Sequence, residues 1–259
     1  MEVSDLSTYL EEIASILTTN EKLWYRGQSK NSEKYKLLPS SYRDNVNDNY
    51  EEDFYMKFKA KAVPFLEKEP QSFWGWLFIM QHHGVPTRLL DWSEDAFIAL
   101  MFALEHRSSE DKIEYDAVVW CLNPLKLNGQ FIFSSTRNNI PNIESTDITN
   151  AFGPNSMPGI PINHPVAVIG SLNNVRIIAQ KGVFTLFPKP PNVKPLEETI
   201  DASKFLTKIV IKKESIDSIK NQLYHIGLNE SSLYPGLDSI GETIVRENKE
   251  RIASTSGRV

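Results

Sequence analysis

Four short segments concentrate side chains that can bind or transform a ligand. Trp24-Tyr25-Arg26-Gly27-Gln28 sets an arginine directly behind two large aromatics. A guanidinium in apolar surroundings needs a partner, and its planar fork fits a phosphate or carboxylate through two parallel hydrogen bonds. A glycine beside it lets a ligand approach the backbone closely. A surface arginine followed by a turn glycine would read the same way. Gln81-His82-His83-Gly84-Val85-Pro86-Thr87-Arg88-Leu89-Leu90-Asp91-Trp92 places five hydrogen-bonding residue types between two strongly apolar stretches, where each buried polar group must find a partner. A ligand site accounts for that density, and so does an internal clamp in which Arg88 and Asp91 pair. In residues 176–184, Arg176, Ile178 and Gln180 alternate onto one face of an expected strand, facing either a pocket or water. Residues 227–238 carry Glu230, a carboxylate able to orient a ribose hydroxyl, assist a leaving group, or cap a helix.

Several chemistries are disfavoured. His82 and His83 are adjacent, unlike the one-turn spacing of helical zinc ligands, and His106, His164 and His225 show no local ligand pattern. No metal is expected. There is no glycine–serine nucleophile elbow, no Walker loop and no dinucleotide-binding glycine cluster after a strand. Cys121, the one cysteine, falls in an apolar run and reads as a small hydrophobe. His82, His83 or His225 could supply the acid and base of a metal-independent nuclease if they converge on a phosphate.

The elements that must position these groups follow from periodicity. Leu6, Leu10, Ile13, Ile16 and Leu17 predict a first helix, Lys22 to Gly27 a strand that ends at Arg26, and residues 50–67 a helix broken by Pro64. A second apolar helix runs from Ser72 to His82 and stops at Gly84. Asp91, with Glu94 three residues on, reads as the cap of an apolar core helix that continues to Leu104. Strands are expected at 115–122, 166–169, 175–178, 183–187 and 205–211, and short helices at 216–224 and 238–245. Residues 123–165 lose periodicity and form a loop-rich insertion, 189–198 an extended proline-rich excursion, and 248–259 a flexible tail.

The chain of 259 residues carries 28 Lys+Arg against 33 Asp+Glu, a net charge of −5, which argues against generic binding to phosphate backbones. A lone cysteine excludes an intrachain disulfide framework. The acidic start lacks the basic region of a signal peptide, and the longest apolar stretch, near Ala96 to Leu104, is about half a membrane span. A cytoplasmic protein without membrane association is expected.

These four segments, in this order, resemble the FRG domain family, named for an aromatic–arginine–glycine motif that is here Tyr25-Arg26-Gly27. Residues 81–92 with the following apolar stretch are the most specific match, and the resemblance covers roughly residues 20–245. It implies a single domain over 1–247 of α+β class, with a mixed or antiparallel central sheet and amino-terminal helices packed on it. The motif order in turn resembles the ADP-ribosyltransferase-like superfamily. That resemblance implies NAD as substrate, ADP-ribosyl transfer or NAD cleavage as activity, and a toxin or phage-defence setting with a protein or nucleic-acid acceptor. The implied catalytic set is Arg26, Gln180, Glu230 and His83. The implied nucleotide-binding set is Tyr25, Arg26, Gly27, Thr87, Arg88, Ser93 and Arg176. A nucleotide or nucleic-acid binding module without turnover, and an antitoxin-like or inhibitory partner-binding protein, are the alternatives.

Overall fold

The computed structural model describes residues 1–43, 50–105, 114–130, 139–156, 162, 164–170, 175–189 and 193–256. Its strands are β1 (Glu2–Val3), β2 (Trp24–Gln28), β3 (Leu89–Ser93), β4 (Ala117–Leu122), β5 (Val166–Val168), β6 (Gly182–Leu186) and β7 (Leu206–Ile211). Its helices are α1 (Leu6–Leu17), α2 (Tyr50–Ala62), α3 (Phe73–His82), α4 (Ala96–Ala103), α5 (Pro124–Asn128), α6 (Thr146–Phe152), α7 (Val175–Ala179), α8 (Ile216–His225), α9 (Glu230–Leu233) and α10 (Leu237–Ser256). The strands form one seven-stranded sheet in the order β1-β7-β4-β2-β3-β6-β5. Every pairing is antiparallel except β1 with β7, so the α+β class and the mixed sheet are as expected.

The core divides into three clusters, and strand alternation decides which side of the sheet each occupies. Leu90 and Trp92 of β3 join Trp24, Leu122, Val183 and Phe187 on one face. On the other face Tyr25, Val119, Cys121 and Ile209 pack beneath α1, α4 and α8. Leu89, Phe184, Leu186 and Val166, also on that face, pack beneath α3 and α6. Two apolar clusters therefore share one face, with a seam between them above β2 and β3.

Local chemistry explains the elements that border the seam. Ser72 caps α3 by accepting from the Gly75 amide at 3.1 Å, and the helix then buries Trp74, Trp76, Leu77, Phe78 and Met80. Asp95 caps α4, its Oδ1 accepting from the Phe97 amide at 2.9 Å. Asp91 is consequently not the cap. It is the exposed middle residue of β3, paired with Phe184 of β6, because the Leu-Leu-Asp-Trp-Ser alternation continues the sheet two residues further than a capping box allows.

Other expectations are corrected in the same way. Residues 175–179 form α7 rather than a strand. Part of the supposed loop region is helical, as α5 and α6. The last helix does not end at Val245, and the tail expected to be flexible continues it as α10 to Ser256. Among the described residues no helix is long and apolar enough to cross a membrane.

Candidate functional site

β2 is the middle strand of the sheet. It pairs with β4 along its whole length, from Trp24↔Leu122 to Gln28↔Val118, yet meets β3 at Tyr25↔Ser93 only. Beyond that pair the two strands part, and Arg26 spans the gap. Its Nη1 donates to the Asp91 carbonyl at 2.6 Å, while its buried Nε–H has no acceptor among the described residues. Burial pulls the Arg26 guanidinium down to about 10, with Asp91 acting in the opposite sense and Arg43 reinforcing the fall, so the group stays cationic at neutral pH.

The parted strands open into a cleft of about 450 Å³ lying along the seam. β2 contributes Tyr25, Arg26 and Gly27; β3 contributes Asp91, Trp92 and Ser93; Gln81, His82 and Gly84 come from the end of α3. Arg176, Ile177 and Gln180 stand opposite, on or just after α7, with Gly182 and Phe184 of β6 below them. Phe78 and Phe102 complete the walls. Gly27 is required here by close approach. A β-carbon on it would lie 2.0 Å from the Ala99 carbonyl oxygen and 2.4 Å from the Ala103 nitrogen, so the backbone of α4 rests directly on the strand.

The polar groups of the cleft hold one another. Gln81 donates from Nε2 to Asp91 Oδ1 at 2.6 Å and accepts from the Thr87 hydroxyl, which fixes the one carboxylate among the lining residues. Ser93 Oγ donates to the Gln180 carbonyl at 2.7 Å, and the Gln180 amide donates to the Leu233 carbonyl at 2.8 Å. The Arg176 guanidinium lies 4.5 Å from the centre of the Tyr234 ring, whose hydroxyl donates to Glu105. His82 is held below the usual imidazole value, by burial first and then by His83 and Arg176. Burial raises the Tyr25 phenol to about 12, so it is a neutral wall and hydrogen-bonding group rather than a base.

The structure thus brings Tyr25, Arg26, Gly27, Ser93, Arg176 and Gln180 together. Arg176 and Gln180 share a side because they are four residues apart on a helical turn, not because they alternate on a strand. It does not bring Thr87, Arg88 or His83 to the cleft. Thr87 is buried behind Gln81. Arg88, 1% exposed, pairs through Nε with Glu51 at 2.9 Å, donates from Nη2 to the Phe152 carbonyl and lies over the Trp74 ring. The internal clamp therefore exists, but with Glu51 rather than Asp91. His83 lines a separate groove against α2, and the Glu230 side chain lies outside the described residues. Sequence reasoning passed over Asp91 and Gln81 as site residues and named His82 only as a possible acid or base of a nuclease. The available signal was a lone carboxylate inside an otherwise apolar strand pattern.

Residues 21–112 match the FRG domain. The chain contains an FRG domain. Eleven of the sixteen lining residues fall inside the matched FRG segment, and the other five come from residues 176–184. Within the matched segment, Tyr25-Arg26-Gly27 has one physical job per residue: wall, cation beside the gap between β2 and β3, and seat for α4. Neither curated proteins nor solved structures give a match to the chain. Among the described residues no group of three or more His, Cys, Asp or Glu is arranged to hold a metal.

Proposed function

We propose that the cleft binds a nucleotide of the NAD class and that the chain uses it as the donor for ADP-ribosyl transfer or as the substrate of NAD cleavage. The observation that carries this reading is Arg26, a cation inside an aromatic-walled cleft whose Nε–H has no acceptor among the described residues. A buried donor left unpaired is costly, and an anionic ligand oxygen would satisfy it. The volume of about 450 Å³ suits a small organic ligand, and Arg176 places a second cation across from the first.

In this reading Arg26 and Arg176 balance the pyrophosphate. Asp91, fixed by Gln81, hydrogen-bonds ribose hydroxyls and favours the oxocarbenium-like state. The bond between nicotinamide nitrogen and C1′ breaks, and nicotinamide leaves with the electron pair that neutralises its ring. The acceptor forms a bond to C1′ and gives up its proton, for which neutral His82 is the nearby base. A binding module without turnover is the second reading. It is favoured by the engagement of Asp91 with Gln81 and of the Gln180 amide with Leu233.

Incubation with labelled NAD and cell lysate, followed by detection of nicotinamide and of labelled acceptor, separates the two. Turnover predicts release that is lost in Arg26→Ala and Asp91→Asn. The binding module predicts NAD-dependent thermal stabilisation with no release. In either case Arg26→Ala weakens NAD by about 10–100-fold, the value of a charge-assisted hydrogen bond. Absence of both stabilisation and release in the native chain overturns the NAD reading.

A further inference from the structure

Two exposed apolar surfaces at different places on the molecule match each other. α10 meets the rest of the chain through its polar side. Ser239, Thr243 and Arg246 are its inward positions, with Ser239 Oγ donating to the Tyr234 and Gly236 carbonyls and the Arg246 guanidinium 3.8 Å from the Tyr224 ring centre. The opposite side carries Leu237, Ile240, Ile244 and Val245, all exposed, at the spacing of one helical stripe. Asp238 and Glu242 flank that stripe and make no ion pair among the described residues. A helix seated polar side down leaves an apolar stripe for another surface to cover.

The second surface is a groove of about 550 Å³ between α2, the turn that follows it and the end of α3. Phe54, Phe58, Phe65, Ile79 and Val85 wall it, Phe65 being 87% exposed, and Lys57 and Lys61 stand on its rim. Lys57 is shared with Asp53 on its own helix, whereas Lys61 makes no ion pair among the described residues. The groove is apolar and wide with a basic rim; the stripe is apolar and convex with an acidic edge. This is the complementarity by which an amphipathic helix enters a groove.

We propose that α10 of one copy docks in the α2–α3 groove of a second copy, with Ile240 and Ile244 against the phenylalanines and Glu242 facing Lys61. Reciprocal exchange closes into a two-fold dimer. The proposal stands independently of any ligand in the cleft.

Sedimentation equilibrium of the full chain tests it. The native protein should self-associate, and Phe65→Glu and Ile244→Glu should each weaken association by about tenfold or more. Both side chains are exposed, so circular dichroism and melting should match the native chain. Mixing the two variants is the decisive arm. One retains a usable helix and the other a usable groove, so the mixture should form a one-to-one pair that neither forms alone. A native chain that stays monomeric, indifference to Phe65→Glu, or a mixture that fails to pair overturns the proposal. Indifference to Phe65→Glu with loss in Ile244→Glu would mean that the stripes pair with each other. Lys61→Glu is an independent probe of the rim and should weaken association, with Glu242→Lys restoring it.

Discussion

Gly27 acts through the side chain it lacks. Adding a methyl there forces α4 off β2, and because both clashing atoms belong to the α4 backbone, no rotamer change relieves the contact. Gly27→Ala should cost about 1–3 kcal/mol, read from urea unfolding, the range for overpacked sites. Two arginines of the same domain should separate in the opposite way. Arg88→Ala leaves the Glu51 carboxylate and the Phe152 carbonyl without their partner in a buried setting, and should cost about 3–5 kcal/mol. Arg26→Ala removes one hydrogen bond to a carbonyl together with a buried N–H that is unpaired among the described residues, and should cost about 1 kcal/mol while weakening NAD about 10–100-fold. His82 gives a third prediction. Its folded value lies below the ordinary 6.5, so above that pH neither the folded nor the unfolded chain carries the proton. As pH falls below it the unfolded chain binds the proton first, and stability is lost until the folded value is passed. Melting temperature should therefore drop from pH 7 toward pH 5 with a slope that His82→Gln reduces, and an NMR titration should show the His82 midpoint moving up when an anion occupies the cleft.

At the level of elements, the strands and helices with a single strong period were legible: α1, α3, β4 and β7 lie where their spacing puts them, whereas β2 runs on to Gln28, so that Arg26 is its middle residue rather than its end. Residues 89–104 were not, because two signals overlap there. Asp91-x-x-Glu94 imitates a capping box, and only the sheet pairing with β6 shows that the strand continues to Ser93 and that Asp95 caps the helix. Asp95→Ala should therefore remove about 1 kcal/mol from unfolding stability, while Asp91→Ala should leave α4 intact and change ligand binding. α7 was misread because Val-Arg-Ile-Ile has strand propensity, and five residues are too few for a helical period to overrule it. The outcome for Arg176 and Gln180 was nonetheless the same, since i and i+4 on a helix share a side as surely as alternate residues of a strand. α10 was cut short because the residues after Val245 are largely polar and the apolar period that marks a helix runs out there, although the backbone continues to Ser256.

Across the whole molecule, what the sequence could not supply was the seam. Periodicity assigns residues to a buried side, but it does not say that one face of the sheet holds two separate clusters. The cleft lies in the interval between them, and its lining comes from segments more than a hundred residues apart in the chain, near Arg26 and near Arg176. Arg88 was ambiguous for the same reason: its true partner, Glu51, lies 37 residues upstream, beyond any local pattern. The single Tyr25↔Ser93 rung has a mechanical meaning as well. β1, β7, β4 and β2 form one leaf and β3, β6 and β5 another, riveted at one point, with the Arg26 side chain acting as a latch beside the rivet. A molecule lodged between Arg26 on the first leaf and Asp91 on the second would staple them, so deuterium uptake along Trp24–Gln28 and Leu89–Ser93 should slow together on occupancy.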